Sequence, residues 1–337
     1  MNNNRDINEK QRRRYAMKKA KKYNDVMLFD FSRLMNYMGG KFVQLKEVTY
    51  TYMKMGKKTN IVEPFAGTGT MIVNILYHFP KTTGIACELN PVMFSCLKTI
   101  QSLVKLYNEE QLMEEMEKVV DLDALNDPIK APSYYLYMIE LFHESSNPFQ
   151  RFALLFWISL LSMNQAVQFH DDFSIEASYG KHRKLGPKQR KFTIRFFHMM
   201  RVIGDRLELK NTDGITFLSN YVKQKDVVKK TFFLLDPPYG AKHKNQKSFL
   251  ASYDKGWGKI EDQRLAEIMM TLKHQHASFI LFNQKETECY LFQALRAFGF
   301  AEYIINRSLG RWKRYDVMIT SQHFYKLDQS IKLLKIA

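Results

Sequence analysis

A glycine-rich turn between a strand-like run and a helix-like run is the feature that most restricts how this 337-residue chain can fold. The residues Asn60-Ile61-Val62 lead into the turn Glu63-Pro64-Phe65-Ala66-Gly67-Thr68-Gly69, and a predicted helix over 71–79 follows. Glycines at such a turn let the backbone approach a nucleotide-like ligand, because a Cβ there would collide with it. The pattern therefore predicts a ligand-binding strand–turn–helix unit.

Two other interpretations of this turn remain open. A dinucleotide site requires a third glycine near position 72, where this chain has Ile72, so the pattern disfavours NAD or FAD. An ordinary tight turn between a strand and a helix would also use glycine.

The alternation of strand and helix recurs on both sides of a different central region. We predict strands at 83–86, 231–235 and 277–282, and helices from about Pro91 and over 262–274. This order is typical of an α/β fold with a mostly parallel, Rossmann-like sheet and a ligand site at the carboxyl ends of its strands. Residues 106–200 are mainly helical and end in a basic stretch, which indicates an insertion.

Glu88 stands twenty-one residues after Gly67, at the end of the next predicted strand. A carboxylate in this position can accept hydrogen bonds from both ribose hydroxyls of an adenosine-containing ligand. A surface carboxylate is the alternative.

The sequence Asp236-Pro237-Pro238-Tyr239 directly follows the apolar run 231–235. Prolines have no N–H donor and hold the chain extended, so Asp236 and the Pro237 carbonyl can act as two acceptors beside the aromatic plate of Tyr239. Such a group suits an amino nitrogen on a flat ring, because two acceptors on its hydrogens favour a lone pair that can attack an electrophile. A rigid turn after a strand is the alternative.

The distribution of charge favours a nucleic acid as the binding partner. The formal net charge is +17, with nine bases against two acids in residues 1–24 and ten against two in 181–210. Residues 105–127 are instead acidic, and their apolar spacing predicts a solvated helix that is turned away from any phosphate backbone.

The three cysteines lack the spacing of a zinc site or a disulfide framework, so we expect a reducing, cytoplasmic compartment. We also expect no bound metal, although His170, Asp171 and Asp172 are adjacent. The apolar run 152–163 is too short to cross a membrane, and Phe156 and Trp157 within it are expected in the core.

The motifs and their order resemble the α-group, Dam-type (D12 class) DNA adenine-N6 methyltransferases. Tyr37-Met38-Gly39-Gly40-Lys41 is similar to that family's N-terminal cofactor motif, residues 63–69 to its AdoMet loop, and residues 236–239 to its catalytic tetrapeptide. The resemblance covers roughly residues 28–326 and implies three parts. These are a basic tail (1–27), a catalytic domain (28–105 and 201–337) and a target-recognition domain (106–200).

The resemblance also implies roles for single residues, with S-adenosyl-L-methionine (AdoMet) as cofactor. The catalytic group would be Asp236, Pro237, Pro238 and Tyr239, with Tyr239 stacking on a flipped adenine. The cofactor would contact Tyr37, Gly39, Gly40, Lys41, Glu63, Pro64, Phe65, Ala66, Gly67, Thr68, Gly69, Glu88, Leu89, Asn220 and Asp236. Asn220 stands where the family often has an acid, and Gln165 follows Asn164 in place of the family's usual glycine.

Double-stranded DNA is the expected substrate of a monomeric, cytoplasmic and nucleoid-associated enzyme. The predicted DNA contacts are Asn164, Gln168, Lys181, Arg183, Lys184, Lys188 and Arg190. Two alternatives are an RNA adenine methyltransferase and a catalytically inactive nucleic-acid-binding protein with a methyltransferase fold.

Overall fold

A computed structural model describes residues 29–35, 40–56, 58–163, 167–181, 186–238, 257–284, 290–309 and 312–321. The predicted basic tail, residues 1–27, lies outside these ranges. The strands are β1 (Asn60–Glu63), β2 (Thr83–Cys87), β3 (Gln168–Phe169), β4 (Ile175–Glu176), β5 (Leu207–Lys210), β6 (Thr231–Leu235), β7 (Ser278–Gln284), β8 (Ala301–Leu309) and β9 (Trp312–Thr320).

Short 3-10 turns occur at Phe42–Gln44 and Gly204–Arg206. The α-helices are α1 (Leu45–Lys54), α2 (Thr70–His78), α3 (Pro91–Leu103), α4 (Glu109–Glu117), α5 (Leu122–Asn126), α6 (Ala131–Glu144), α7 (Pro148–Leu161), α8 (Pro187–Ile203), α9 (Gly214–Tyr221), α10 (Lys225–Lys229), α11 (Lys259–His274) and α12 (Tyr290–Ala297). None of these helices is long and apolar enough to cross a membrane.

Seven of the strands form one sheet in the order β5-β2-β1-β6-β7-β9-β8. The first five run parallel, and β9 pairs antiparallel with both β7 and β8. The predicted mostly parallel α/β fold is confirmed. Because parallel strands end at the same edge, the residues that follow β1, β2, β5 and β6 are brought together there.

Both faces of the sheet are buried. The sequence of β6 after Thr231 is therefore apolar at every position and does not alternate with polar residues. Phe232 and Leu234 pack into the core that contains α2, α3, α7 and α8, whereas Phe233 and Leu235 pack into the core of α9, α11 and α12. Successive side chains of a strand point to opposite faces, so a central strand covered on both sides has to be apolar throughout.

The predicted insertion does not have a separate core among the described residues. Helix α7 packs against α3, and α8 packs against α2, so the helices share the larger core with the sheet. Phe156 and Trp157 are 0% and 2% exposed, which confirms their assignment to the core. The domain boundaries at 105 and 200 stay predictions.

Helix α4 has the predicted apolar and acidic faces, and its acidic face is partly solvated and partly paired with another helix. Leu112, Met113 and Met116 are buried, as their spacing predicted. However, Glu110 and Glu117 form ion pairs with Arg190 on α8 at 2.7 and 3.2 Å. The acidic stretch therefore neutralises part of the basic one, a pairing between distant segments that periodicity cannot show.

Candidate functional site

The glycine turn after β1 is held in a conformation that requires glycine at two positions. Gly67 and Gly69 have φ of 53° and 66°, in the left-handed region that other residues rarely adopt. The Ala66 N–H donates to the Cys87 carbonyl at 2.9 Å, and the Gly69 N–H donates to the Ala66 carbonyl at 2.8 Å. The turn is thus hydrogen-bonded to the carboxyl end of β2, and Gly69 is the N-cap residue of α2.

Glu88 bridges this turn and the start of α3. It is 4% exposed, which disfavours the alternative of a surface carboxylate. Its Oε2 accepts from the Gly67 N–H at 2.7 Å and its Oε1 from the Asn90 N–H at 2.8 Å, while Asn211 donates to the Glu88 carbonyl at 2.7 Å. Both carboxylate oxygens of Glu88 thus accept backbone hydrogen bonds beside the turn, and a carboxylate oxygen can accept more than one hydrogen bond.

Glu63, at the end of β1, is a second buried carboxyl at the same edge. It is 1% exposed, and its Oε2 accepts from the Ile72 N–H at 3.0 Å. Burial raises the pKa of Glu63 well above its ordinary value; the nearby Asp236 and Glu88 carboxylates raise it further, and Lys41 lowers it.

A third carboxylate, Asp236, follows β6 and forms an ion pair with Lys41. The Lys41 Nζ and the Asp236 Oδ2 are 2.7 Å apart, with side chains that are 1% and 16% exposed. The Lys41 ammonium also lies 5.8 Å from the centre of the Phe282 ring on β7. A buried cation thus joins the N-terminal motif to the start of the predicted catalytic tetrapeptide.

Gly214, at the start of α9, closes the glycine turn from the other side. A Cβ on Gly214 would lie 2.3 Å from the Pro64 carbonyl oxygen and 2.6 Å from the Phe65 ring. The Phe65 ring itself packs edge to face against Trp257 at 5.5 Å. A residue with a side chain at position 214 would therefore displace the glycine turn.

Sequence reasoning did not identify Asn211, Gly214 or Trp257 as part of the site. It also missed β5, whose four residues alternate Leu with Glu and Lys and resemble a charged surface segment. The pattern Asn-Thr-Asp-Gly at 211–214 was a usable signal, because a polar cap and a glycine after a short alternating run mark a strand-to-helix turn.

The other predicted cofactor residues take different positions. Gly40 is half-buried beside Lys41, and the hydroxyls of Thr68 and Thr70 are hydrogen-bonded at 2.8 Å. Leu89 is 54% exposed. Asn220 lies in the last turn of α9, where its Oδ1 accepts from Lys223 at 3.0 Å and its side chain lines a surface groove.

In the predicted catalytic tetrapeptide, Pro237 is buried and Pro238 half-buried. Tyr37, Gly39 and Tyr239 lie outside the described residues.

The residues predicted to contact DNA differ in their exposure and in their partners. Gln168 begins the β3–β4 hairpin, and Lys181 and Lys188 are exposed. Arg190 is engaged by Glu110 and Glu117. Asn164, Arg183 and Lys184 lie outside the described residues. Within the part of the chain that the structure describes, no three His, Cys, Asp or Glu side chains gather as ligands for a metal ion.

The site combines three largely buried acidic side chains, those of Glu63, Glu88 and Asp236, with one buried ammonium at the carboxyl ends of β1, β2 and β6. Such a set can hold a ligand that is rich in hydrogen-bond donors or carries a positive charge.

Comparisons with known proteins agree with this geometry. The sequence profile of the D12 class N6 adenine-specific DNA methyltransferases matches residues 37–307. The type II methyltransferase M.MjaIII of Methanocaldococcus jannaschii is 23% identical over 271 residues, which are 76% of this chain and 85% of that protein. A DNA adenine methylase of Haemophilus influenzae is 20% identical over 256 residues, which are 75% of this chain and 79% of the relative.

The family match confirms adenine methylation of DNA as the activity and favours it over the RNA and inactive alternatives. It covers both the N-terminal motif and the tetrapeptide that the structure joins through Lys41 and Asp236. The chain belongs to the D12 class of N6 adenine-specific DNA methyltransferases.

Proposed function

We propose that this enzyme acts as a monomer on a specific sequence in double-stranded DNA, flips the target adenine out of the helix and methylates its exocyclic N6 with AdoMet. The observation that carries the proposal is the buried Lys41–Asp236 pair at the carboxyl end of β6. It supports a polar catalytic centre beside the glycine turn, at the edge where ligands of α/β sheets bind.

The residues around the turn fit AdoMet. When bound, AdoMet supplies an electrophilic methyl group on a positively charged sulfonium. Glu88 is buried and adjoins the turn, where a carboxylate is a suitable hydrogen-bond acceptor for ribose hydroxyls. Gly67 and Gly69 let the backbone approach the ligand without a Cβ, and the Asp236 carboxylate makes the surroundings more favourable for a cation.

Asp236 would bind the amino group of the adenine together with the Pro237 carbonyl. The Lys41 ammonium holds the carboxylate in one orientation and balances its charge, so that an oxygen can accept from N6. Two acceptors on the N6 hydrogens favour an attacking lone pair. N6 then loses one proton, either to Asp236 or to water, so that the product is neutral.

The target adenine has to leave the duplex, because its N6 is not accessible to a buried carboxylate while the base is stacked. The exposed Lys181 and Lys188 would contact phosphates, and Gln168 on the β3–β4 hairpin would contact a base edge. Arg190 was predicted among these contacts. Its two ion pairs with α4 instead favour a role in fixing α8.

The test is methyl transfer from labelled AdoMet to duplex DNA, single-stranded DNA and structured RNA. We expect label in N6-methyladenine at one sequence of the duplex, and a rise in 2-aminopurine fluorescence when this base replaces the target adenine. Asp236→Asn should abolish transfer and leave DNA affinity nearly unchanged. Retained turnover in Asp236→Asn, or label in RNA alone, would contradict the proposal, and sedimentation of the enzyme–DNA complex tests the monomer.

A further inference from the structure

Helix α8 is bound to the chain segment that precedes Lys41. The Thr193 hydroxyl donates to the Leu34 carbonyl at 2.8 Å, and the Gln189 amide nitrogen lies 3.3 Å from the same oxygen. Thr193 and Leu34 are both 0% exposed. Residues 31–35, which we call the lead-in segment, are therefore anchored by an interior hydrogen-bond network and not by surface contacts.

Helix α2 holds the same segment from a second direction. Asn74 exchanges two hydrogen bonds with the backbone of Ser32, one from the Ser32 N–H at 2.8 Å and one to the Ser32 carbonyl at 2.6 Å. Asn74 is also 0% exposed. The lead-in segment thus has one defined position between α2 and α8.

A further contact of α8 lies immediately beyond Lys41. The Phe192 ring packs edge to face against the Phe42 ring at 5.1 Å. The Arg33 guanidinium lies 4.8 Å from the centre of the Phe42 ring and 5.5 Å from that of Phe192. One turn of α8 therefore contacts the chain on both sides of Lys41.

The position of Lys41 depends on such backbone anchors. A lysine side chain has four rotatable bonds, and its ammonium has to reach Asp236 at 2.7 Å while 1% exposed. Catalytic groups have to be held to about 0.5 Å by the residues that support them. Displacement of the Lys41 backbone would lengthen the ion pair and change the orientation of the Asp236 carboxylate.

We propose that Thr193 and Phe192 are positioning residues that set Lys41 against Asp236 through the lead-in segment and Phe42. The inference rests on the proposed function, because it assumes that the ion pair matters for methyl transfer. Neither residue belongs to the predicted catalytic tetrapeptide or to the glycine turn. The contacts of this turn of α8 with Leu34 and Phe42 lie on either side of Lys41 in the chain.

Two substitutions of Thr193 separate this role from general packing. Thr193→Val keeps the volume but removes the donor to Leu34, and Thr193→Ser keeps the donor but removes a methyl group. We expect Thr193→Val to lower kcat about tenfold at saturating DNA and AdoMet, because a displaced Lys41 ammonium would hold the Asp236 carboxylate less well in the transition state. Thr193→Ser should keep most of the wild-type kcat. Equal loss of kcat in both variants would overturn the proposal.

A double-mutant cycle with Lys41→Met tests whether the effect passes through the ion pair. Thr193→Val should lower kcat strongly in the wild-type background and little in the Lys41→Met background. The same fold-loss in both backgrounds would overturn the inference and leave the proposed function intact. An unchanged kcat in Lys41→Met alone would overturn the inference, because the ion pair would then not matter for methyl transfer, while the measured transfer would still support the proposed function.

The rates are expressed per active site, titrated by AdoMet binding, so that a loss of folded protein does not count as a loss of kcat. If Thr193→Val does not fold, Phe192→Leu takes its place in the cycle, because it keeps an apolar side chain beside Phe42 but removes the ring contact. Additive losses of Phe192→Leu and Lys41→Met would equally overturn the inference.

Discussion

Lys41 and Asp236 come from distant parts of the chain, yet their charged atoms are 2.7 Å apart in the interior. This ion pair joins the N-terminal motif to the predicted catalytic tetrapeptide. The family resemblance implied that Lys41 contacts the cofactor. The structure adds a partner, and with it a way for Lys41 to affect the carboxylate that we propose binds the adenine.

Removal of the Lys41 charge should impair catalysis more than DNA binding. Lys41→Met keeps an unbranched side chain but leaves the Asp236 carboxylate without this cation, so we expect kcat to fall about a hundredfold. Loss of a buried partner should also lower the free energy of unfolding by about 2 kcal/mol. Lys98→Met, on the exposed side of α3, is the control and should change neither quantity. Normal turnover in Lys41→Met would show that the ion pair is not needed.

Substitution of Gly214 should disturb the glycine turn although none of the predicted cofactor residues is replaced. In Gly214→Ala the new Cβ would meet the Pro64 carbonyl at 2.3 Å, so the backbone has to shift at a cost of about 1–3 kcal/mol. We expect a lower melting temperature and AdoMet binding at least about tenfold weaker by calorimetry. Gly186→Ala is the matched control, because a Cβ there meets nothing within 4 Å. Similar behaviour of the two variants would argue against this role of Gly214.

The raised pKa of Glu63 has a defined effect on stability. Because burial favours its protonated form, Glu63 stabilises the fold below its ordinary pKa of 4.5, and this contribution is lost as the pH rises through the raised pKa. Glu63→Gln can still accept from Ile72 but does not titrate. Denaturant unfolding without cofactor should therefore show the variant gaining stability relative to wild type as the pH rises above 4.5. Parallel stability curves would contradict a titrating, buried Glu63.

Substitutions of Lys188 and Arg190 should have different effects on DNA affinity and stability, although both residues lie in the same turn of α8. Lys188 is exposed, so Lys188→Gln should weaken DNA binding for all sequences and lower the salt dependence by about one ion. Arg190 is paired with Glu110 and Glu117, so Arg190→Gln should lower stability by about 1 kcal/mol with a smaller effect on DNA affinity. Salt titrations of binding and denaturant unfolding compare the two variants directly, and a larger loss of DNA affinity in Arg190→Gln would restore its predicted role as a DNA contact.

The parts of the protein that the sequence determined are those with a local signal. Apolar runs of strand length followed by glycine, proline or acidic residues predicted β1, β2, β6 and β7 and the edge where they end. The tetrapeptide and the glycine turn placed Asp236 and Gly67 at that edge, because their neighbours in the chain already specify a strand that stops there. The resemblance added the order of the motifs and the activity.

Tertiary structure alone decided which distant side chains meet. The pairing of Lys41 with Asp236, of Arg190 with α4, and of Thr193 with the lead-in segment depends on how helices pack on the sheet, and no periodicity within one segment encodes it. The short strand β5 escaped prediction because its alternation covers only four residues, and it gains its partner from β2. Local patterns are set by neighbours within a few residues, whereas the charge balance and geometry of a buried site are set by the residues that folding brings together.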